Sequence, residues 1–542
     1  MKAFLFIFIF TFVIARNLFP NYSPNYMSSC YAPVKDSTFI WHYADYDESG
    51  FVGISLYKAY IFAKEHNLIS HEIIVAVIDS GCDTIHEDLV ENLWVNPNEI
   101  PRNKIDDDRN GYIDDIHGWN FLGNANGYMV EGETVELTRL YRELKIKFDG
   151  KKKSEILSED KEDFKNWLLI KKDFETQYNK AKNYCQIYEN GLEIYDNCEK
   201  ILSKYLKKDQ INRQEINNIK TDNDKILQAK SFWLHPYGTD MKRKDFVDAI
   251  GYWKPEVDKK LNVLYDPRSK VGDNPLDMSD SLYGNNIIQT SGSNHGTGVS
   301  GIIGAVRDNN IGFDGIAPNV KIMVIRVVPG GDERDKDVAL AIRYAVKMGA
   351  RIINCSFGKD YSPQKIFVDE AVRFAELNNV LIIHAAGNDS KNIDKGFNFP
   401  SKTLNNPKEI AANCLEVGAS DKHADENLVA NFSNYGKIVD IFAPGVEIYS
   451  TAMKNNYHFS SGTSDASPVV CGVAALVLSY FPQLSALELK NIILKSGIYY
   501  GNIKVVIPNT KNNKRKKKFI KMSANGTIVN AFSALKLASE GD

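Results

Sequence analysis

Three short stretches of this 542-residue chain each set a different reactive side chain among small residues: "VIDSGCD" carries Asp79, "NHGTGVSGIIGA" carries His295 and "SSGTSDASPVV" carries Ser464. A serine hydroxyl is a weak nucleophile at neutral pH. It needs a base within hydrogen-bond reach, and the base needs an acid to fix its tautomer. An aspartate, a histidine and a serine supply those three roles. Singly, Asp79 could cap a turn, His295 could satisfy a helix start and Ser464 could cap the apolar run behind it. Together, each in its own glycine frame, they point to nucleophilic acyl transfer. Gly298 and Gly301 are expected to let the His295 helix pack closely on the helix of Ser464. Cys82 and Cys471 lie near Asp79 and Ser464, but neither stands in the place of Ser464, and both read as small core residues.

The elements that must position these residues follow from hydrophobic pattern. Buried-strand runs recur in "IIVAVIDSG", "KIMVIRVV", "ARIINCSFG" and "NVLIIHAAGN", separated by helical runs such as "DKDVALAIRYAVKMG" and "QKIFVDEAVRFAELN". This alternation predicts an α/β fold with a doubly wound, mainly parallel sheet and helices on both faces. Ligand sites in such sheets lie at the carboxyl ends of strands, where "DSG", "CSFG" and "AAGN" fall.

A lysine- and glutamate-rich segment over 127–275 interrupts the alternation. Phe174, Tyr178, Ala181, Cys185, Tyr188, Leu192 and Tyr195 follow steps of four and three, one seam of a helix. The segment reads as an inserted helical hairpin or short coiled coil, either packed on itself or docking an unknown partner. Cys185 and Cys198 could pair only if the chain turns at "ENGL", because along one helix they lie roughly 20 Å apart.

The remaining divisions are a signal peptide over 1–15, an entry segment over 16–68, a first catalytic part over 69–126 and a second over 276–542, with a basic loop and a final helix. The apolar run after Lys2 is too short to span a bilayer and ends in a small-residue cleavage pattern, which predicts secretion or a periplasmic location. No later segment reads as membrane-spanning. A net charge of −3 gives no reason to expect a nucleic-acid partner, and seven cysteines are too few for a disulfide framework.

The three motifs, in the order Asp79, His295, Ser464, resemble those of the subtilisin-like serine proteases, the subtilases; that chain order is a standard illustration of the family. The resemblance covers 73–123 and 282–496, with "GTIVNAFSAL" similar to the family's closing helix. It implies a serine endopeptidase with Asp79 as orienting acid, His295 as general base and Ser464 as nucleophile. Asn388 in "HAAGNDS" would then be the oxyanion donor. Ser356, Phe357 and Gly358 in "INCSFGKD" would pair with a polypeptide substrate bound as an extended strand. Gly358 with Ala385, Ala386 and Gly387 would line the pocket for the side chain before the scissile bond, the glycine leaving room for a large residue. Lys359 and Asp465 depart from the family pattern, and Asp465 is expected to point away from the reacting centre. The rival reading is a catalytically silent relative that binds peptide or serves as a scaffold. No cofactor is required for this chemistry.

"KIDDDRNGYIDDIHG" places Asp106, Asp108, Asn110 and Asp114 around Gly111 with the spacing of an oxygen-ligand calcium loop, although His117 stands where a bidentate glutamate would complete it. A structural Ca2+ is the metal this loop predicts.

Overall fold

The structure is a computed structural model describing residues 40–406, 409–508 and 515–541. The expected signal peptide lies outside the described residues. Two compact units are present, one of residues 137–265 and one built from the described chain before and after it.

The larger unit is centred on a nine-stranded sheet. In chain order its strands are β1 (Ile73–Asp79), β2 (Gly118–Asn120), β3 (Val320–Arg326), β4 (Ile352–Cys355), β5 (Leu381–Ala385), β6 (Cys414–Ser420) and β7 (Ile441–Pro444), followed by two short strands at Ile498–Tyr499 and Thr527–Ile528. Strands β2, β3, β1, β4, β5, β6 and β7 are adjacent in that order and all parallel; only the outermost pairing, Ile498–Tyr499 on Thr527–Ile528, is antiparallel. The near-continuous apolar strand runs follow from burial on both faces. In β1, Ile73, Val75 and Val77 face one core and Ala76 and Ile78 the other. Helices Leu56–Glu65, Asn294–Gly304, Thr463–Tyr480, Ala486–Ser496 and Ala531–Ser539 contribute to the first core, and helices Asp335–Lys347 and Lys365–Leu377 to the second. This is the doubly wound arrangement expected. Helix Thr463–Tyr480 is long and apolar enough to cross a membrane, contrary to the expectation that no segment past the N-terminus would be. It is instead the central core helix, with 89% of its span buried.

In the smaller unit the seam residues lie on a single 46-residue helix, Lys161–Leu206, that runs through "ENGL" without a turn. Cys185 and Cys198 are therefore far apart, and both are free and buried. Helices Asp224–Leu234 and Arg243–Pro255 return along it. Tyr188 and Tyr195 are buried together with Phe246, while Tyr141 stacks on Phe174 at a centroid distance of 4.0 Å. Arg243 pairs with Asp196 and Lys254 with Glu189. The unit is narrower than the expected 127–275. The flanking residues belong to the catalytic unit despite their polar texture: Arg326 donates to the Val130 carbonyl, and Arg268 forms bidentate contacts with Asp337 and Asp273.

Candidate active site

Asp79 is the last residue of β1 and is almost fully buried, as the end of a central strand must be. His295 is the second residue of helix Asn294–Gly304, and Gly296 behind it brings that helix against the Asp79 loop. A Cβ at Gly296 would sit 2.1 Å from the Gly81 carbonyl oxygen and 3.2 Å from the Asp79 carboxylate. His295 Nδ1 consequently lies 2.8 Å from Asp79 Oδ1 and 3.0 Å from Oδ2. An Nδ1 proton held there leaves Nε2 as the basic nitrogen. Gly298 and Gly301 do not face helix Thr463–Tyr480: a Cβ at Gly301 would strike Thr451 and Ser450, and one at Gly298 would approach Thr451 and His458. The hairpin Ile448–Ala452 and Asn456–Ser460 occupies that side of the histidine helix, which the glycine spacing alone could not specify.

Ser464 is half-buried in the first turn of helix Thr463–Tyr480, where backbone N–H groups have no intrahelical acceptor. The helix start is tied to β4. The Ser356 hydroxyl donates to the Ser464 carbonyl at 2.9 Å, Asn354 Nδ2 donates to Ser356 Oγ at 2.9 Å, and Ser467 Oγ donates to Asn354 Oδ1 at 2.8 Å. Asn388, three residues beyond β5, accepts at Oδ1 from both the Thr463 N–H (2.8 Å) and the Thr463 hydroxyl (2.9 Å). Those bonds fix the amide orientation and turn Nδ2 toward Ser464. A Cβ on Gly462 would lie 2.7 Å from Ser464 Oγ, 3.4 Å from Asn388 Nδ2 and 3.3 Å from Asp465 Oδ2, so all three groups surround one small space that only glycine leaves open.

Asp465 does not point away from this centre. It is buried, accepts a hydrogen bond from Ser460 Oγ, and its charge reaches His295. Burial opposes protonation of the His295 ring, but the charge and hydrogen bond of Asp79, with the charge of Asp465, more than offset it and raise the pKa to about 9. Burial raises Asp465 itself to about 6, against the pull of Ser460 and of His295. Burial and the His295 charge hold the neighbouring His458 below its ordinary range.

Beside Ser464, Ser356 and Phe357 are buried and Gly358 is exposed just beyond β4. Gly387, with a φ of +97°, closes the opposite wall, and its N–H donates to Thr463 Oγ1. The space that Gly358 was expected to leave is occupied by Asn398, whose Oδ1 lies 2.4 Å from where a Gly358 Cβ would be and 3.3 Å from that of Gly387. Asn398 Nδ2 donates to the Ala385 carbonyl, so the amide bridges both walls. Lys359 turns away from the groove into a buried acidic cage, 2.8 Å from Glu136 and 2.9 Å from Asp335.

The model of the subtilase family matches residues 70–519. The chain belongs to the subtilase family, the peptidase S8 serine proteases. It is 37% identical over 232 residues to a thermophilic serine proteinase of a Bacillus species, covering 43% of this chain and 50% of that one. It is 32% identical over 278 residues to subtilisin DY of Bacillus licheniformis, covering 49% of this chain and 94% of that one. It is also 34% identical over 236 residues to a cell wall-associated protease of Bacillus subtilis, covering 43% of this chain and 24% of that one. The chain thus spans half the length of the first of these, nearly all of the second and a quarter of the third.

In the acidic loop of this subtilase two of the expected residues, Asp106 and Asp108, are joined by Glu99. Oxygens of Glu99, Asp106 and Asp108 come within 4.8 Å of one another. Asp114 instead accepts from the backbone N–H groups of Asn103 and Lys104, and the Asn110 amide donates to Asp108 and Asp115. Asn110 and Asp114 thus help to shape the loop, as Glu99 and Asp106 also do by accepting from the backbone N–H groups of Asp107, Asp108 and Asp114 and of Asn110 and Gly111. Glu99 lies outside the loop's periodic spacing, which is why the sequence pattern missed it. Thr463, Asn354 and Ser467 were also missed, since nothing in their local sequence marks a residue whose partner lies on another element.

Proposed function

We propose that this subtilase is a secreted or periplasmic serine endopeptidase acting through Asp79, His295 and Ser464. The convergence of Ser464 Oγ and Asn388 Nδ2 on Gly462, within the same fold that sets His295 on Asp79, carries this reading. Ser464 Oγ attacks the scissile carbonyl carbon while its proton passes to His295 Nε2. The oxygen of the tetrahedral intermediate accepts from Asn388 Nδ2 and the Ser464 N–H. His295 then protonates the departing amine, leaving an acyl-enzyme, and deprotonates the water that hydrolyses it. The substrate is an extended polypeptide alongside Ser356–Gly358. The Asn398 amide between the walls favours a small side chain before the scissile bond.

Glu99, Asp106 and Asp108 fit a calcium ion by chemistry, being three convergent carboxylates in an oxygen-rich loop; the ion would supply charge neutralisation there and takes no part in the acyl transfer. The inserted unit 137–265 is the proposed seat of any partner contact. A serine-directed fluorophosphonate tests the central reading: the folded protein is labelled and Ser464→Ala is not. Absence of labelling in folded wild-type protein, or labelling that survives Ser464→Ala, favours the silent peptide-binding relative.

A further inference from the structure

Among the buried titratable pairs outside the triad, one lies directly beneath the substrate segment. His384 on β5 and Glu416 on β6 are direct register partners across parallel strands, 3% and 2% exposed, inside the sheet. A histidine and a glutamate at such positions are costly to bury unless each polar atom is satisfied. His384 Nδ1 lies 2.9 Å from Glu416 Oε2, and its Nε2 lies 2.8 Å from the backbone carbonyl oxygen of Phe357. Phe357 is the middle residue of the segment beside the nucleophile, and His384 immediately precedes the opposite wall, Ala385–Gly387. The imidazole therefore ties the two walls of the groove together from beneath.

We propose that His384, oriented by Glu416, is a positioning residue for substrate: by holding the Phe357 carbonyl inward it turns the backbone N–H and C=O of Gly358 outward for pairing with an extended peptide. The inference rests on the protease reading above and deepens it. Among the described residues, neither backbone group of Gly358 has an internal partner, while Lys359 next to it exchanges two hydrogen bonds with Phe399. The segment is thus pinned on both sides of Gly358, at Phe357 by the histidine and at Lys359 by the Phe399 backbone. Both acceptors facing His384 lack protons when Glu416 is ionised, and a neutral imidazole offers one N–H, so the two bonds are made together by the imidazolium. The charge environment agrees in direction: burial opposes protonation, but Glu416, the Phe357 carbonyl and Glu333 together hold the His384 pKa above its ordinary value.

Because the pair acts through the peptide-pairing segment and not through the triad, its loss is read by substrate length. The test compares kcat/KM for a tetrapeptide amide, which spans the segment, with that for a single-residue ester, which does not, in wild type, His384→Gln and Glu416→Gln. The expected result is a roughly tenfold fall in the tetrapeptide-to-ester ratio, the size of one lost charge-assisted hydrogen bond, carried mainly by KM. An unchanged ratio in whichever variant folds, even with lower activity on both substrates, overturns the proposal, since a general loss of stability or of triad geometry lowers both equally. If wild type turns over neither substrate, the protease reading fails first, and that outcome is separate from an unchanged ratio.

Discussion

Asp79 and His295 are paired through Nδ1, and the charge of Asp465 acts on the same imidazole. A base acts only when neutral, so with His295 raised to about 9, kcat/KM should climb with pH through the neutral range and level off on the alkaline side. Between about 6 and 9 the Asp465 carboxylate is ionised and favours the imidazolium. Asp465→Asn removes that charge while keeping an acceptor for Ser460, and the acid limb of the profile should move down by roughly half to one pH unit. A limb that stays in place would show that Asp465 is electrostatically silent. The same residue shows where motif reading stops: its identity is plain beside Ser464, but its direction depends on Ser460, which opens the quoted stretch yet is placed by the hairpin Ile448–Ala452 and Asn456–Ser460 before it. Asn398 makes the parallel case for specificity. Asn398→Gly clears the space between Gly358 and Gly387 and should raise kcat/KM for substrates with a large aromatic residue before the scissile bond at least tenfold relative to alanine. Competition between two such peptides would settle it, and an unaltered ratio would mean that the amide does not bound the pocket.

At the level of elements, the strands and their order of function were readable because burial on both faces writes an unmistakable apolar run. β1 and β5 end at Asp79 and Ala385, so the residues after them are delivered to the same edge. Pairings between elements were not readable. Gly298 and Gly301 of the histidine helix turned out to meet a hairpin, and the acidic loop is joined by the Glu99 carboxylate from outside its own spacing. Three carboxylates forced together repel, so a bound cation should contribute stability that grows with the logarithm of its excess over Kd, about 2.7 kcal/mol at a hundredfold excess. Chelator should therefore lower the Tm of the larger unit by roughly 3–4 °C, and Glu99→Gln should lower Tm in calcium and blunt the response to chelator. A wild-type Tm indifferent to chelator would refute a calcium role for this loop.

For the molecule as a whole, the inserted segment was legible in composition, but its internal form was not. A seam of steps of four and three fits a hairpin as well as a single helix, and the choice lay with Gly191, an apparent turn signal in "ENGL". In the structure Gly191 is mid-helix, and the reason is packing: a Cβ there would come within 2.5 Å of the Phe246 ring, so the residue that looks like a breaker is the one that lets helix Arg243–Pro255 approach. Gly191→Val should thus cost about 1–3 kcal/mol by overpacking, partly offset by helix propensity of under about 1 kcal/mol. Because 137–265 forms its own compact unit, that cost should fall on one of two calorimetric transitions, lowering the helical one by several degrees while the other, and turnover of a short peptide, stay where they are. A single transition that moves as a block, with kcat/KM falling alongside it, would mean instead that the insertion and the catalytic unit fold as one cooperative body, and that the arm contributes to the stability of the site it interrupts.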